Sequence, residues 1–340
     1  SVERAVGEDQ NRADNGRPQR RTHTKHHRCT RNADWVARAA RGHLSAGLFG
    51  GFAPQKRRAN GIDIHVRHGG SGAPLLLLHG FPQTHVIWHK VAPQLAERYM
   101  LVMPDLRGYG DSDKPPSQTD HAPYSKRTMA LDAVELMRSF GFKRFFVCGH
   151  DRGGRVAHRL ALDHPQCVAR LMVLDISPTL AMYERTTMDF ATLYYHWFFL
   201  TQPEPLPETL IAANPGFYLR NKLAGWGSSG TALFDPRALA EYERCFTPAA
   251  IHAMCEDYRA AASIDLERDR ADVQAGKRVE CPLHVLWGER GVVNKLFTPI
   301  EDWQSRSRHA VSGRTTPTGH YIPEEASDLL SEQMQAFFAD

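Results

Sequence analysis

Gly149-His150-Asp151-Arg152-Gly153-Gly154-Arg155 follows directly on the apolar run Phe145-Phe146-Val147-Cys148. A β-type run, a Gly-x-Asp-x-Gly turn and a helix-competent segment predict a strand, a sharp elbow and a helix, with one side chain lifted out at the strand's end. That side chain is a carboxylate, ionised at neutral pH. It can displace a leaving group from an sp3 carbon and form an alkyl ester. A helix-capping aspartate would fit the same position. Arg152 and Arg155 stand three apart, so they share a face of the following helix beside Asp151. Guanidinium forks there suit a carboxylate ligand and lessen its repulsion from an anionic nucleophile. The plain alternative is a solvent-facing helix with two ordinary arginines.

Outward from the elbow, short apolar runs bounded by turn residues lie at Leu75 to Leu78, Leu101 to Met103, Leu171 to Leu174 and Leu283 to Trp287, with helix-length segments between several of them. Ile62-Asp63-Ile64-His65-Val66 alternates as a half-buried strand, and Gly69-Gly70-Ser71-Gly72 then turns the chain. Continuous apolar strands alternating with helices predict an α/β fold, a mostly parallel sheet covered on both faces. From Ser177 to about His252 the rhythm breaks into aromatics and prolines, which reads as an inserted cap. The expected organisation is a core of 49–178 and 253–340, a cap of 179–252, and a basic, disordered extension of 1–48.

With 340 residues, 42% hydrophobic and 24% charged, the chain can bury one large core. No run approaches the 18 or more apolar residues of a membrane span, so a soluble protein with no membrane partner is expected, and its scattered cysteines suggest a cytoplasmic one. The net charge is +4, but residues 1–58 hold 13 Lys/Arg against 5 Asp/Glu, leaving a slightly acidic body. The basic excess sits in a segment with no recognisable nucleic-acid-binding fold, so no nucleic-acid partner is expected. That segment begins with Ser1 and reads as an upstream extension or a misplaced start rather than a functional basic arm. Six scattered cysteines lack a paired or metal-type spacing, which suggests reduced thiols and no metal.

Active sites of open parallel sheets lie at the carboxyl ends of the strands. Four reactive elements fall there: His79-Gly80-Phe81-Pro82, Asp151, Asp175, and Gly319-His320 before the last helix. Nucleophile, acid, then histidine is the chain order of a hydrolase triad. Asp175 also fits a plain turn before Ser177-Pro178.

Further motifs are Asp105-Leu106-Arg107-Gly108-Tyr109-Gly110-Asp111-Ser112, Asp175-Ile176-Ser177-Pro178-Thr179, His196-Trp197, Gly225-Trp226-Gly227 and Asp257-Tyr258-Arg259-Ala260. With these the chain from about residue 49 to its end resembles the α/β-hydrolase dehalogenases, specifically the fluoroacetate (haloacetate) dehalogenases. The resemblance implies an α/β-hydrolase fold with an inserted helical cap, and cofactor-free hydrolysis of a small haloacid to glycolate and halide. Asp151 would be the nucleophile, His320 the base that activates water, and Asp175 the acid that orients it. Asp175 is preferred to Glu289 because, in Trp287-Gly288-Glu289-Arg290-Gly291, glycine occupies the position where many hydrolases place the acid. The backbone amides of Phe81 and Arg152 would form the oxyanion hole. Arg152 and Arg155 would hold the substrate carboxylate. His196, Trp197 and Tyr258 would donate to the halide, although cap aromatics taken singly are more often packing. Trp226 lines the pocket or simply packs.

The polar run Val311 to Thr318 leaves the placement of the His320 loop open, and the sequence, compatible with a homodimer, does not decide oligomeric state. The rivals are an epoxide hydrolase or a haloalkane dehalogenase, both of which usually carry Trp where Arg152 stands, and a non-catalytic binding protein of the same fold.

Overall fold

The computed structural model describes residues 47–339. Eight strands form one sheet: β1 (Ala53–Ala59), β2 (Ile62–Gly70), β3 (Ala73–Leu78), β4 (Tyr99–Pro104), β5 (Phe145–His150), β6 (Val168–Leu174), β7 (Leu283–Gly288) and β8 (Ser312–Thr316). Their spatial order is β1-β2-β4-β3-β5-β6-β7-β8. β2 pairs antiparallel with β1 and β4, and the remaining pairings are parallel. The expected runs become β3 to β7, and Leu75, Leu76, Leu77 and Leu78 are fully buried, as strands covered on both faces must be.

Two strands carried no apolar signal. β1 (Ala-Pro-Gln-Lys-Arg-Arg-Ala) is an exposed edge, and its Lys56, Arg57 and Arg58 account for part of the basic excess assigned to the N-terminus. Charge along a sheet edge discourages pairing with other chains. β8 is the opposite edge, and its exposed residues explain the polar approach to His320: a parallel edge strand lies there. Of the expected extension 1–48, all but Gly47 and Leu48 lies outside the described residues, and Leu48 packs into the core.

The chain order reverses around β3, whose neighbours are β4 and β5. The crevice at such a switch point is where α/β sheets hold their ligands. Register then sets the site. Leu78 pairs with Gly149, His150 with Leu174, Leu174 with Leu286 and Gly288 with Thr316. The residues just beyond these pairs are therefore Gly80 and Phe81, Asp151, Asp175 and the His320 loop.

Between β6 and β7 the chain is helical, running from Thr179–Glu184 to Ile264–Gln274. The expected cap boundary at 252/253 falls inside the continuous helix Pro248–Ala262. No hydrophobic-to-polar change marks that point, because the helix is buried along most of its length. No helix among the described residues is long and apolar enough to cross a membrane.

Candidate active site

The elbow is tight because glycine permits it. A Cβ on Gly149 would lie 2.5 Å from the Gly153 carbonyl oxygen, and one on Gly153 would lie 2.4 Å from the carbonyl oxygens of Leu78 and His79. With no side chains between them, strand and helix close up, and Asp151 is forced to φ 46° and ψ −114°. Five described non-glycine residues have positive φ, and three of them, Asp151, Asp175 and Trp226, are expected site residues. Backbone strain of this kind concentrates where a fold holds functional groups.

Asp175 accepts from the Gly288 amide at 2.9 Å and holds His320 Nδ1 at 2.6 Å. A Cβ on Gly291 would sit 3.2 and 3.4 Å from the two Asp175 oxygens, so the glycine leaves the room that the acid from β6 fills. Gly291→Ala should push that carboxylate by a few tenths of an ångström and lower kcat roughly tenfold, with the melting temperature little changed. An unchanged kcat would show that the fit at Gly291 is immaterial.

His320 Nε2 lies 3.8 Å from Asp151 Oδ2, an ionic contact too long for a hydrogen bond. The His320 loop is tied to the elbow by His150, whose Nε2–H donates to the His320 carbonyl at 2.8 Å; burial keeps His150 neutral, at about 3. Burial opposes the His320 imidazolium, but Asp151 and Asp175 outweigh it and raise its pKa to about 9. Asp151 is held well below the usual carboxylate range against the penalty of burial, chiefly by His320 and then by Arg155 and Arg152. The resting pair is carboxylate and imidazolium.

This pair has a stability consequence. The folded-state His320 pKa lies above the ordinary 6.5, so its contribution is complete below about pH 6.5 and is lost as pH rises through about 9. The stability advantage of the wild type over His320→Gln should therefore shrink between those values, by at most about 3 kcal/mol. Urea unfolding across that range measures it, and a pH-independent difference would contradict the charge assignment.

Two loops approach the elbow. A Cβ on Gly80 would lie 2.6 Å from Asp151 Cβ and 3.2 Å from the Arg152 nitrogen, so the segment carrying Phe81 lies against the helix start. His79 pins it: Nε2 accepts the Leu106 amide at 2.9 Å, Nδ1–H donates to the Gly80 carbonyl at 3.0 Å, and burial lowers its pKa to about 4. From the cap side, Gly319 packs against Gly227, and the Trp226 ring stands 5.1 Å from His320 and 4.6 Å from His196.

His196 stacks on Phe81 at 5.8 Å and meets Tyr258 at 5.6 Å, so Phe81, His196, Trp226 and Tyr258 form one ring cluster. The Tyr258 hydroxyl and His196 Nδ1 are buried and make no hydrogen bond to another protein group. Burial, and then Lys222, keep His196 neutral; burial, and then Asp151, raise the Tyr258 phenol well above its ordinary range. Buried, unsatisfied polar groups are rare and call for a ligand or water. Trp197 reaches the site from another side, its ring 4.6 Å from the Arg155 guanidinium.

Both arginines are buried, which excludes the solvent-facing helix. They are held differently. Arg155 donates from Nη1 to Thr179 Oγ1 at 2.9 Å and Ser177 O at 3.3 Å, with Nε unpartnered. Arg152 is not an open fork: its Nε and Nη2 grip Asp257, and Nη1 alone has no partner. The sequence contained Asp257, directly before Tyr258, but nothing in it paired the two. A buried arginine needing an anion was the available signal.

Asp151 is thus a buried carboxylate with two guanidinium groups nearby, an imidazole–carboxylate pair behind it and unsatisfied donors in front. Such a carboxylate can be alkylated by a substrate, and the set can then hydrolyse the resulting ester. An α/β-hydrolase family profile matches residues 73–326. The chain belongs to the α/β-hydrolase fold family.

Within that family it is 45% identical to the fluoroacetate dehalogenase of Burkholderia sp, over 86% of this chain and 96% of that one. It is 33% identical to the soluble epoxide hydrolase of Corynebacterium sp. (strain C12), over 82% of this chain and 95% of that one. The crystal structure of a Nostoc sp PCC 7120 protein assigned to the alpha/beta hydrolases superposes with a TM-score of 0.82 at 52% identity, covering 85% of this chain and 98% of that one.

Proposed function

We propose that the protein is a hydrolase acting on carbon–halide bonds, converting a haloacetate and water to glycolate and halide. The observation that carries this reading is an ionised aspartate on the elbow with two buried arginines beside it, each keeping a nitrogen without a partner. An Asp151 oxygen attacks the α-carbon of the haloacid; the carbon–halogen pair leaves with the halide, and an ester forms. With the Asp151 charge gone, His320 releases its Nε2 proton to solvent; water then adds to the ester carbonyl carbon at Asp151, giving up a proton to His320, while the Phe81 and Arg152 amides receive the oxyanion. Collapse breaks the bond to the glycolate oxygen, which takes the proton back from His320. The acid proton left on Asp151 passes to His320, restoring the carboxylate–imidazolium pair, with one Asp151 oxygen now from water.

The departing halide is a compact anion that needs directed donors. Neutral His196 and Tyr258, with the Trp197 indole, supply them from the helical segment between β6 and β7. An epoxide would give the two arginines no carboxylate to hold, so the haloacid reading is preferred to the epoxide one despite the Corynebacterium relative.

Halide release from fluoroacetate, chloroacetate and an uncharged haloalkane, measured beside diol formation from an epoxide, tests the class. Turnover of the haloacids alone supports it; a preference for the uncharged substrates would overturn it. Arg155→Met should raise KM for chloroacetate roughly 30-fold or more by removing a buried charged partner, with much less effect on any residual activity toward an uncharged haloalkane. An equal loss on both substrates would contradict a carboxylate-binding role.

A further inference from the structure

We propose that Asp257 is the positioning residue of the carboxylate site: it fixes Arg152 so that Nη1 alone is offered to the substrate, and sets that nitrogen in register with Tyr258. The inference rests on the haloacetate reading.

Arg152 Nε donates to Asp257 Oδ2 at 2.9 Å, and Nη2 donates to Oδ1 at 2.7 Å and to the Asp257 carbonyl at 2.8 Å. One whole edge of the fork is therefore occupied. A guanidinium bound along one edge cannot grip a second carboxylate along it. Asp257 cannot swing away either, because it also receives the Tyr109 hydroxyl on Oδ2 at 2.7 Å and Lys126 Nζ on Oδ1. Tyr109 lies in the loop after β4, and Lys126 opens the helix Lys126–Ser139, its backbone amide bound to Asp265. Two segments of the core thus lock a carboxylate supplied by the helix Pro248–Ala262.

Two consequences follow for the substrate. Arg152 keeps Nη1 and Arg155 keeps Nε without partners, so each arginine has one nitrogen left to donate. A carboxylate held between them bridges two arginines, one oxygen to each, instead of being gripped by one fork. The same lock keeps Arg152 off the nucleophile: no hydrogen bond links Asp151 to either guanidinium among the described residues, so its oxygens stay available for attack. Because Tyr258 adjoins Asp257 and its ring lies 4.1 Å from the Arg152 guanidinium, the bond also aligns the halide donor with the carboxylate donor.

Asp257→Asn removes the charge and keeps the shape. The freed fork should then turn onto Asp151, and the substrate must displace it. KM for chloroacetate should rise roughly tenfold or more while kcat falls by less. A folded variant with unchanged KM, or with the loss confined to kcat, would overturn the inference. Should the variant fail to fold, the structure of Asp151→Asn with bound chloroacetate decides the matter. Expected is a substrate oxygen on Arg152 Nη1 with Asp257 still holding Nε and Nη2; a substrate carboxylate on the Nε/Nη2 edge, with Asp257 displaced, would overturn it. Wild-type protein that releases no halide from any haloacetate would instead remove the haloacetate reading itself, whatever Asp257 does.

Discussion

Asp151→Asn should abolish halide release, lowering turnover by about 10⁴-fold or more, as expected when the nucleophile of a covalent mechanism is removed. Asparagine has nearly the same shape, and with aspartate it is among the residues that best tolerate positive φ, so the elbow at φ 46° should survive. Arg152 and Arg155 remain in place, so chloroacetate should still bind. A variant that binds and does not turn over separates chemistry from recognition. Retention of activity within tenfold of wild type would mean that Asp151 only shapes the elbow.

His320→Ala should stop the reaction halfway. In the proposed mechanism Asp151 attacks as a carboxylate and needs no base, so one equivalent of halide should appear, with a carboxymethyl group left on Asp151. The charge arrangement suits the proposed order, in which the histidine acts second. In the resting site Asp151 and Asp175 both sustain the imidazolium, despite burial, to about pH 9. Esterification removes the Asp151 charge and leaves Asp175 alone, so the His320 pKa falls when a base is first needed. Mass spectrometry of the protein after chloroacetate treatment checks this. Sustained multiple turnovers without an adduct would assign the water-activating role elsewhere.

The parts of this fold legible in the sequence are those that hydrophobic runs and glycines encode. Phe145 to Cys148 reads as a buried strand, and Gly149 and Gly153 as the flanks of a sharp turn, so the elbow could be placed from residues alone; the close approach at Gly80 is visible only in the fold. Asp175 was legible through an absence, since Gly291 vacates the position another acid would fill and the Asp175 carboxylate occupies that room. The edges were not legible. β1 and β8 are polar because they face solvent, and polarity reads as loop. Nor was the Asp257–Arg152 pair, which joins positions 105 residues apart through tertiary contact. Composition is silent at 252/253 for a related reason: a buried helix runs across that point without any change.

The central claim, a covalent ester on Asp151, is tested most directly by a single turnover in heavy-oxygen water with protein in excess over haloacetate. Water attacking the ester at the aspartyl carbon predicts that the label enters the Asp151 carboxylate, found in the peptide carrying that residue, and that first-turnover glycolate is unlabelled. Label in that first glycolate with an unlabelled Asp151 would mean direct attack of water on the substrate, and would contradict the account.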